Sequence, residues 1–373
     1  MNYSQRHHEL NAQFRLGKDI SLENSNIDIR FFTFKSLPLS LRDEKSIVNP
    51  ADEKINENLS FQYPVFIPRG TKQTDKAILL MHGLNERSWS KYLTWAEYLC
   101  NETGKSVILF PIAFHMNRSP VNWYNPRDLQ SLLNLRRNRN GQDRSLSFAN
   151  VAFSERITEN PIRFYNSGRQ SLHDLSQLTL DMKEGKHPLF KKNTHIDIFS
   201  YSIGAFLSEI TMMTNTDGLF SDSKLFIFCG GGIFSSMAGE SRSIMDKKAF
   251  EKLFQYYLND FNNEALLSSV RDKAYESFNC MISVDREQEK RKSFFENLGG
   301  RLKGISLLND KVMPYSGVLE AIGTECATSH ISIMDFPFSY SHENPFPVGE
   351  RIETSKVDTC FTTVFTEAAR FLA

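Results

Sequence analysis

In this chain of 373 residues, 44 basic side chains balance 44 acidic ones for a formal net charge of zero, so no global field draws it to nucleic acid or anionic lipid. Its apolar runs are too short to cross a bilayer as helices, and residues 1–9 hold no apolar leader, so the expectation is a cytoplasmic protein with no membrane span. The length is enough to bury a large core, read here as one α/β domain over residues 1–373 with insertions.

Residues 1–58 read as an N-terminal edge segment. It has a strand at 29–35 and a polar, charge-rich surface connection over 42–58, and His7 and His8 form a mobile terminal pair. A second strand at 61–67, closed by Pro68, Arg69 and Gly70, completes an antiparallel edge. Residues 77–81 are continuously apolar, as in a strand buried on both faces, and end in His82, Gly83, Leu84 and Asn85. In the helix that follows, Trp89, Tyr92, Leu93, Ala96, Leu99 and Cys100 share one face, and Gly104 ends it. With the buried strand at 106–110, strand and helix alternate, the mark of a mostly parallel, doubly wound sheet with helices on both faces.

Two stretches break that rhythm. Residues 115–166 are too long for an ordinary connection and read as an insertion near the site; within them Arg136, Arg137 and Arg139 read as a solvated face, with the lesser reading that they hold an anionic substrate group. After a strand at 225–229 and the Gly230, Gly231, Gly232 turn, residues 234–299 carry expected helices at 247–259, 263–278 and 285–298. Strands at 304–308 and 331–334 follow, and Val357, Phe361, Val364, Phe365, Ala368 and Leu372 give an amphipathic C-terminal helix.

The strand at 195–199 leads into Ser200, Tyr201, Ser202, Ile203 and Gly204, and Ile203, Phe206, Leu207 and Ile210 then recur at helical spacing. Ser202 therefore sits on a strand-to-helix corner, with small residues two before and two after it where the turn crowds the backbone. Asp310 follows the strand at 304–308, and His342 follows the one at 331–334. Serine, acid and histidine thus appear in that order, each after a strand.

This arrangement resembles the α/β-hydrolase superfamily from about Phe61 to the C-terminal helix, with Ser200 in place of the usual first glycine. The resemblance implies the α/β-hydrolase fold, with residues 234–299 as a helical cap inserted between the strands at 225–229 and 304–308. It implies Ser202 as nucleophile, His342 as base and Asp310 as the acid behind it, and oxyanion donors in the backbone N–H groups of Leu84 and Ile203. The activity it implies is that of a serine hydrolase cleaving a carboxylic ester, thioester or amide of a small-molecule acyl substrate, with no cofactor and no metal. An acyltransferase or peptidase can use the same three residues, and a fold kept for binding alone needs none of them.

Other residues compete for these roles. His330 is a rival base, but it precedes the last strand and so falls at the wrong end of the sheet. Asp310 has the alternative of a turn aspartate, and Asp335 is its rival; His82 reads as structural, and Asp197 has no assigned role. The five cysteines, scattered and odd in number, read as free thiols in a reducing compartment rather than a disulfide framework or zinc site. Thirty Phe and 12 Tyr read mainly as core, with some lining an acyl or aromatic pocket.

Overall fold

The structure is a computed structural model that describes residues 2–37, 51–141, 143–263, 271–349 and 352–373. Its strands join in one sheet. At one edge β1 (Ile20–Ser21), β2 (Ile27–Lys35) and β3 (Ser60–Pro68) pair antiparallel, and β3 runs antiparallel to β5 (Ser106–Leu109). From there β5, β4 (Thr74–Met81), β6 (Phe190–Tyr201), β7 (Leu225–Phe228), β8 (Leu302–Leu307) and β9 (Ile331–Met334) are parallel neighbours. This is the expected α/β-hydrolase fold. The chain leaves β4 for β5 on one side and reaches β6 on the other, so a crevice opens at the carboxyl ends of β4 and β6, where ligands bind in sheets of this kind.

Successive strand residues face opposite sides, and both sides are covered. Ile78 and Leu80 join a core with α1 (Tyr3–Gln13), α3 (Ser90–Thr103) and α13 (Thr354–Leu372). Leu79 and Met81 join the opposite core with α6 (Ile162–Lys183) and α7 (Ile203–Thr214). Each core strand is thus apolar on both faces, which is why 77–81 is uninterrupted. Gly104 caps α3 in the left-handed conformation at φ 65°, where glycine lacks the steric penalty of other residues.

The N-terminus departs from the expectation of a mobile pair. His7 and His8 lie in α1, which Arg6 clamps to α3 through a bidentate bond to Glu97 at 2.8 and 2.5 Å, and His7 Nε2 lies 3.3 Å from Ser90 Oγ. A single turn, α2 (Asn56–Leu59), leads into β3; residues 42–50 of the expected surface connection lie outside the described residues.

Between β5 and β6 the chain forms α4 (Pro126–Asn140), α5 (Val151–Glu159) and α6. The expected 115–166 insertion thus spans α4, α5 and the first residues of α6, from Ile162 on. Between β7 and β8 it forms α8 (Lys247–Gln255), a π turn at Tyr256–Asp260, α9 (Lys273–Cys280) and α10 (Gln288–Leu298). Of the helix expected at 263–278, residues 264–270 lie outside the described residues. Then α11 (Tyr315–Ile322) and α12 (Thr324–His330) precede β9. Among the described residues no helix is long and apolar enough to cross a membrane.

The stretches 115–166 and 234–299 are joined. Arg136 of α4 is 1% exposed and binds Glu155 of α5 at 2.7 Å and Asp246, the cap of α8, at 2.8 Å. Arg139 reaches the other oxygen of Glu155 at 2.6 Å. The expectation of a solvated arginine face is thus wrong for Arg136 and half right for Arg139, while Arg137 is exposed.

Candidate active site

Ser202 stands between β6 and α7 with φ 57° and ψ −129°, a backbone conformation that costs a non-glycine residue about 1–3 kcal/mol and persists only where its surroundings impose it. Its neighbours impose it. A Cβ at position 204 would stand 2.7 Å from the carbonyl oxygen of His82, and one at position 230 would stand 2.9 Å from that of Ser202. Both glycines let backbone pass where no side chain fits. Ser200, in the place where the fold usually has glycine, is buried and donates its hydroxyl to Phe226 O at 3.2 Å.

Ser202 Oγ lies 2.6 Å from His342 Nε2, and His342 Nδ1 lies 2.7 Å from Asp310 Oδ2. Since a carboxylate only accepts, Nδ1 carries the ring proton and Nε2 accepts from the serine hydroxyl. Asp310 Oδ1 in turn accepts from the backbone N–H groups of Val312 and Met313, both at 2.9 Å. All three residues are at most 5% exposed. The structure therefore brings together the serine, histidine and aspartate singled out in the sequence.

Two residues not singled out there fix the histidine. Tyr201 stacks its ring on that of His342, with centroids 5.5 Å apart and planes 16° apart, and donates its hydroxyl to His342 O. Lys91 stands 4.6 Å over the Tyr201 ring and donates to Glu343 O at 2.9 Å. Tyr201 had a signal in its position beside Ser202; Lys91, at the start of a helix, had none.

Leu84 follows β4, and Ile203 directly follows Ser202. Ile203 is the first residue of α7, where an N–H has no acceptor within the helix. Asn85, at φ 58°, pins the loop after β4 by donating to Ala149 O at 2.9 Å and Ser243 O at 2.7 Å, one before β6 and one after β7. His82 is buried, with Nδ1 donating to Gly83 O at 2.8 Å and Nε2 accepting from Ile112 N at 2.9 Å. Burial holds its pKa well below the usual 6.5, which keeps the ring neutral and structural.

The rivals stand elsewhere. His330 ends α12 at the amino end of β9; Asp335 is bound to Asn309 at 2.9 Å and Tyr340 at 3.0 Å. Asp197, unassigned in the sequence, is a buried structural carboxylate that takes Lys105 at 2.8 Å, His195 at 2.9 Å and the N–H of Lys224 at 2.8 Å.

Next to Ile203, the residue after the serine, lies a cavity whose envelope spans about 1050 Å³ with the open solvent at its mouth included. Leu84 and Ile203 line it, as do residues of α6, α7, the 112–157 stretch and, from α9, Ala274 and Phe278. The walls are largely aromatic and aliphatic, with Arg87, His115 and Arg156 among them.

The chain is similar in fold to solved structures of carboxyl esterase 2 from the mycorrhizal fungus Tuber melanosporum (9% identity over 99% of this chain and 97% of that one, TM-score 0.46) and of a cold-adapted esterase from an Arctic intertidal metagenomic library (11% over 96% and 100%, TM-score 0.42). A Pyrobaculum calidifontis esterase is similar at 10% identity over 99% of this chain and 90% of that one, with a TM-score of 0.41. No curated protein matches the sequence. One family model matches residues 1–373, and its description is "Family of unknown function (DUF6051)".

Proposed function

The chain belongs to the DUF6051 family, whose function is unknown, and from the site's own geometry we propose that it is a serine hydrolase that cleaves a carboxylic ester through an acyl-enzyme. The supporting observation is the unbroken hydrogen-bonded line from Ser202 Oγ through both ring nitrogens of His342 to Asp310 Oδ2. A serine hydroxyl is a poor nucleophile near neutral pH unless a base takes its proton as it attacks.

In this reading Ser202 Oγ bonds to the carbonyl carbon while its proton passes to His342 Nε2. Asp310 holds the proton of Nδ1 in place and stabilises the imidazolium. The N–H groups of Leu84 and Ile203 receive the negative charge that develops on the carbonyl oxygen. As the C–O bond to the alcohol breaks, His342 returns the proton to the departing oxygen, leaving the acyl group on Ser202. Water then attacks that ester by the same steps in reverse roles, releasing the acid and restoring the serine. The helices of 234–299 and the stretch from 115 serve as a cap that excludes water and shapes the space for the acyl group. Thioesters and amides react through the same groups, and the pocket selects among them.

A fluorophosphonate probe and a series of 4-nitrophenyl esters test this. The wild-type protein is expected to be labelled and to release nitrophenol, and Ser202→Ala to do neither while keeping its circular dichroism spectrum. A wild-type protein that is neither labelled nor active on any ester would leave a binding protein as the better account.

A further inference from the structure

The cavity next to Ile203 carries more cation than its own carboxylates neutralise. Arg156 meets Asp52 at 2.7 Å, Arg163 meets Glu159 at 2.9 Å and Asp52 at 3.4 Å, Arg169 pairs with Asp272 at 2.9 Å, and Glu86 is paired with Lys91. Among the described residues Arg87 has no carboxylate partner. Its contact is a long bond of 3.4 Å from Nη1 to Phe148 O. Arg87 is half-buried, and a cation on the wall of a largely apolar cavity with so weak a partner is available to an anion that enters there.

Two buried neighbours are also incompletely bonded. Arg156, 4% exposed, gives Nη2 to Asp52 and stacks 4.1 Å over the Trp123 ring, yet its Nη1 has no partner. His115, 5% exposed, lies 2.8 Å through Nδ1 from Ala113 O, so its proton is there and Nε2 is a bare acceptor, also without a partner. An unmade bond at a buried polar atom is costly, and two such atoms lining the cavity that Arg87 also lines need a common explanation.

We propose that the cavity takes an apolar group ending in a carboxylate, with the anion against Arg87 and Arg156 and the apolar body along Phe153, Phe164, Phe206 and Phe278. His115 Nε2 accepts from a hydroxyl or N–H on the same ligand. The substrate class is then an ester with a carboxylate at the far end of its acyl or alcohol part. This rests on the serine-hydrolase reading only for the word substrate; the binding site itself does not.

Two measurements separate the two ideas. Calorimetric titration of Ser202→Ala with suberate and with its neutral diamide tests the site without catalysis. Suberate is expected to bind roughly tenfold or more tightly than the diamide, the usual worth of one charge-assisted bond. Arg87→Met is expected to erase that difference and Arg87→Lys to keep most of it; equal binding of the two ligands would overturn the proposal. On the wild-type enzyme, kcat/KM for 4-nitrophenyl hydrogen suberate against 4-nitrophenyl octanoate tests an anion on the acyl side. Octanoyloxybenzoate against phenyl octanoate tests one on the alcohol side. A preference for the anion in either pair supports the proposal and fixes the side, and this ratio does not depend on how much of a variant sample folds. Turnover with no preference in either pair overturns it. Carboxylate-selective binding with no turnover of any ester upholds the site and removes the hydrolase reading.

Discussion

Asp310 divides its two oxygens between different partners. Oδ1 is held by two backbone N–H groups, and Oδ2 faces the imidazole of His342, so the carboxylate cannot turn away from the ring without losing two bonds. An Asp310→Asn side chain can keep its oxygen on those N–H groups, but its NH2 then faces Nδ1. The ring must move its proton to Nε2, which can no longer accept from Ser202. We expect kcat for a 4-nitrophenyl ester to fall by roughly 10³–10⁴-fold, with the melting temperature nearly unchanged because the shape and two of the bonds remain. A wild-type kcat in this variant would detach Asp310 from the proposed mechanism.

At the scale of elements, one arginine ties α4, α5 and α8 together. Arg136 faces Glu155 and Asp246, each with a side chain 1% exposed. Asp246 also caps α8 by accepting from Ala249 N at 2.9 Å. Arg136→Met leaves Asp246 without a cation and Glu155 with Arg139 alone, a change that costs about 3–5 kcal/mol. The urea midpoint is expected to drop accordingly, and a change below about 1 kcal/mol would mean that water reaches the cluster. This residue also marks where the sequence stops being legible. Ser202 and Asp310 were readable because each follows an apolar strand within three positions, a local pattern, and His342 because it is a histidine in the loop after the last strand. Arg136 takes its partners from positions 155 and 246, and nothing near it in the chain reveals that it is buried. Likewise α6 was hidden because its buried face includes Asn166, Gln170, Ser171 and Asp174, which breaks the apolar period that identifies a helix. Asp174 there meets Arg118 at 2.7 Å and Ser36 at 2.8 Å, so polar residues do in that wall what leucines do elsewhere.

Across the whole molecule, several buried titratable groups set how stability varies with pH. Burial lowers the pKa of His115 and of His187 to about 4 and holds His82 well below its ordinary 6.5. Between pH 6.5 and about 4 the unfolded chain binds protons at these rings that the folded chain refuses, so stability falls as pH falls, by up to about 1.4 kcal/mol per pH unit for each ring. Glu209 acts in the opposite sense. It is fully buried in α7, neither carboxyl oxygen has a partner among the described residues, and burial raises its pKa well above the ordinary 4.5. The folded state keeps that proton while the unfolded state releases it near 4.5, so its contribution to stability declines as pH rises from there. Above 6.5 the histidines are neutral in both states and their slope vanishes, while that of Glu209 remains. Urea midpoints measured from pH 4 to 8 are therefore expected to rise to a maximum near 6.5 and then decline. Glu209→Gln, which keeps the shape and cannot ionise, is expected to flatten the alkaline decline and leave the acid side unchanged. An alkaline decline that persists undiminished in Glu209→Gln would show that the carboxyl is already ionised in the folded protein.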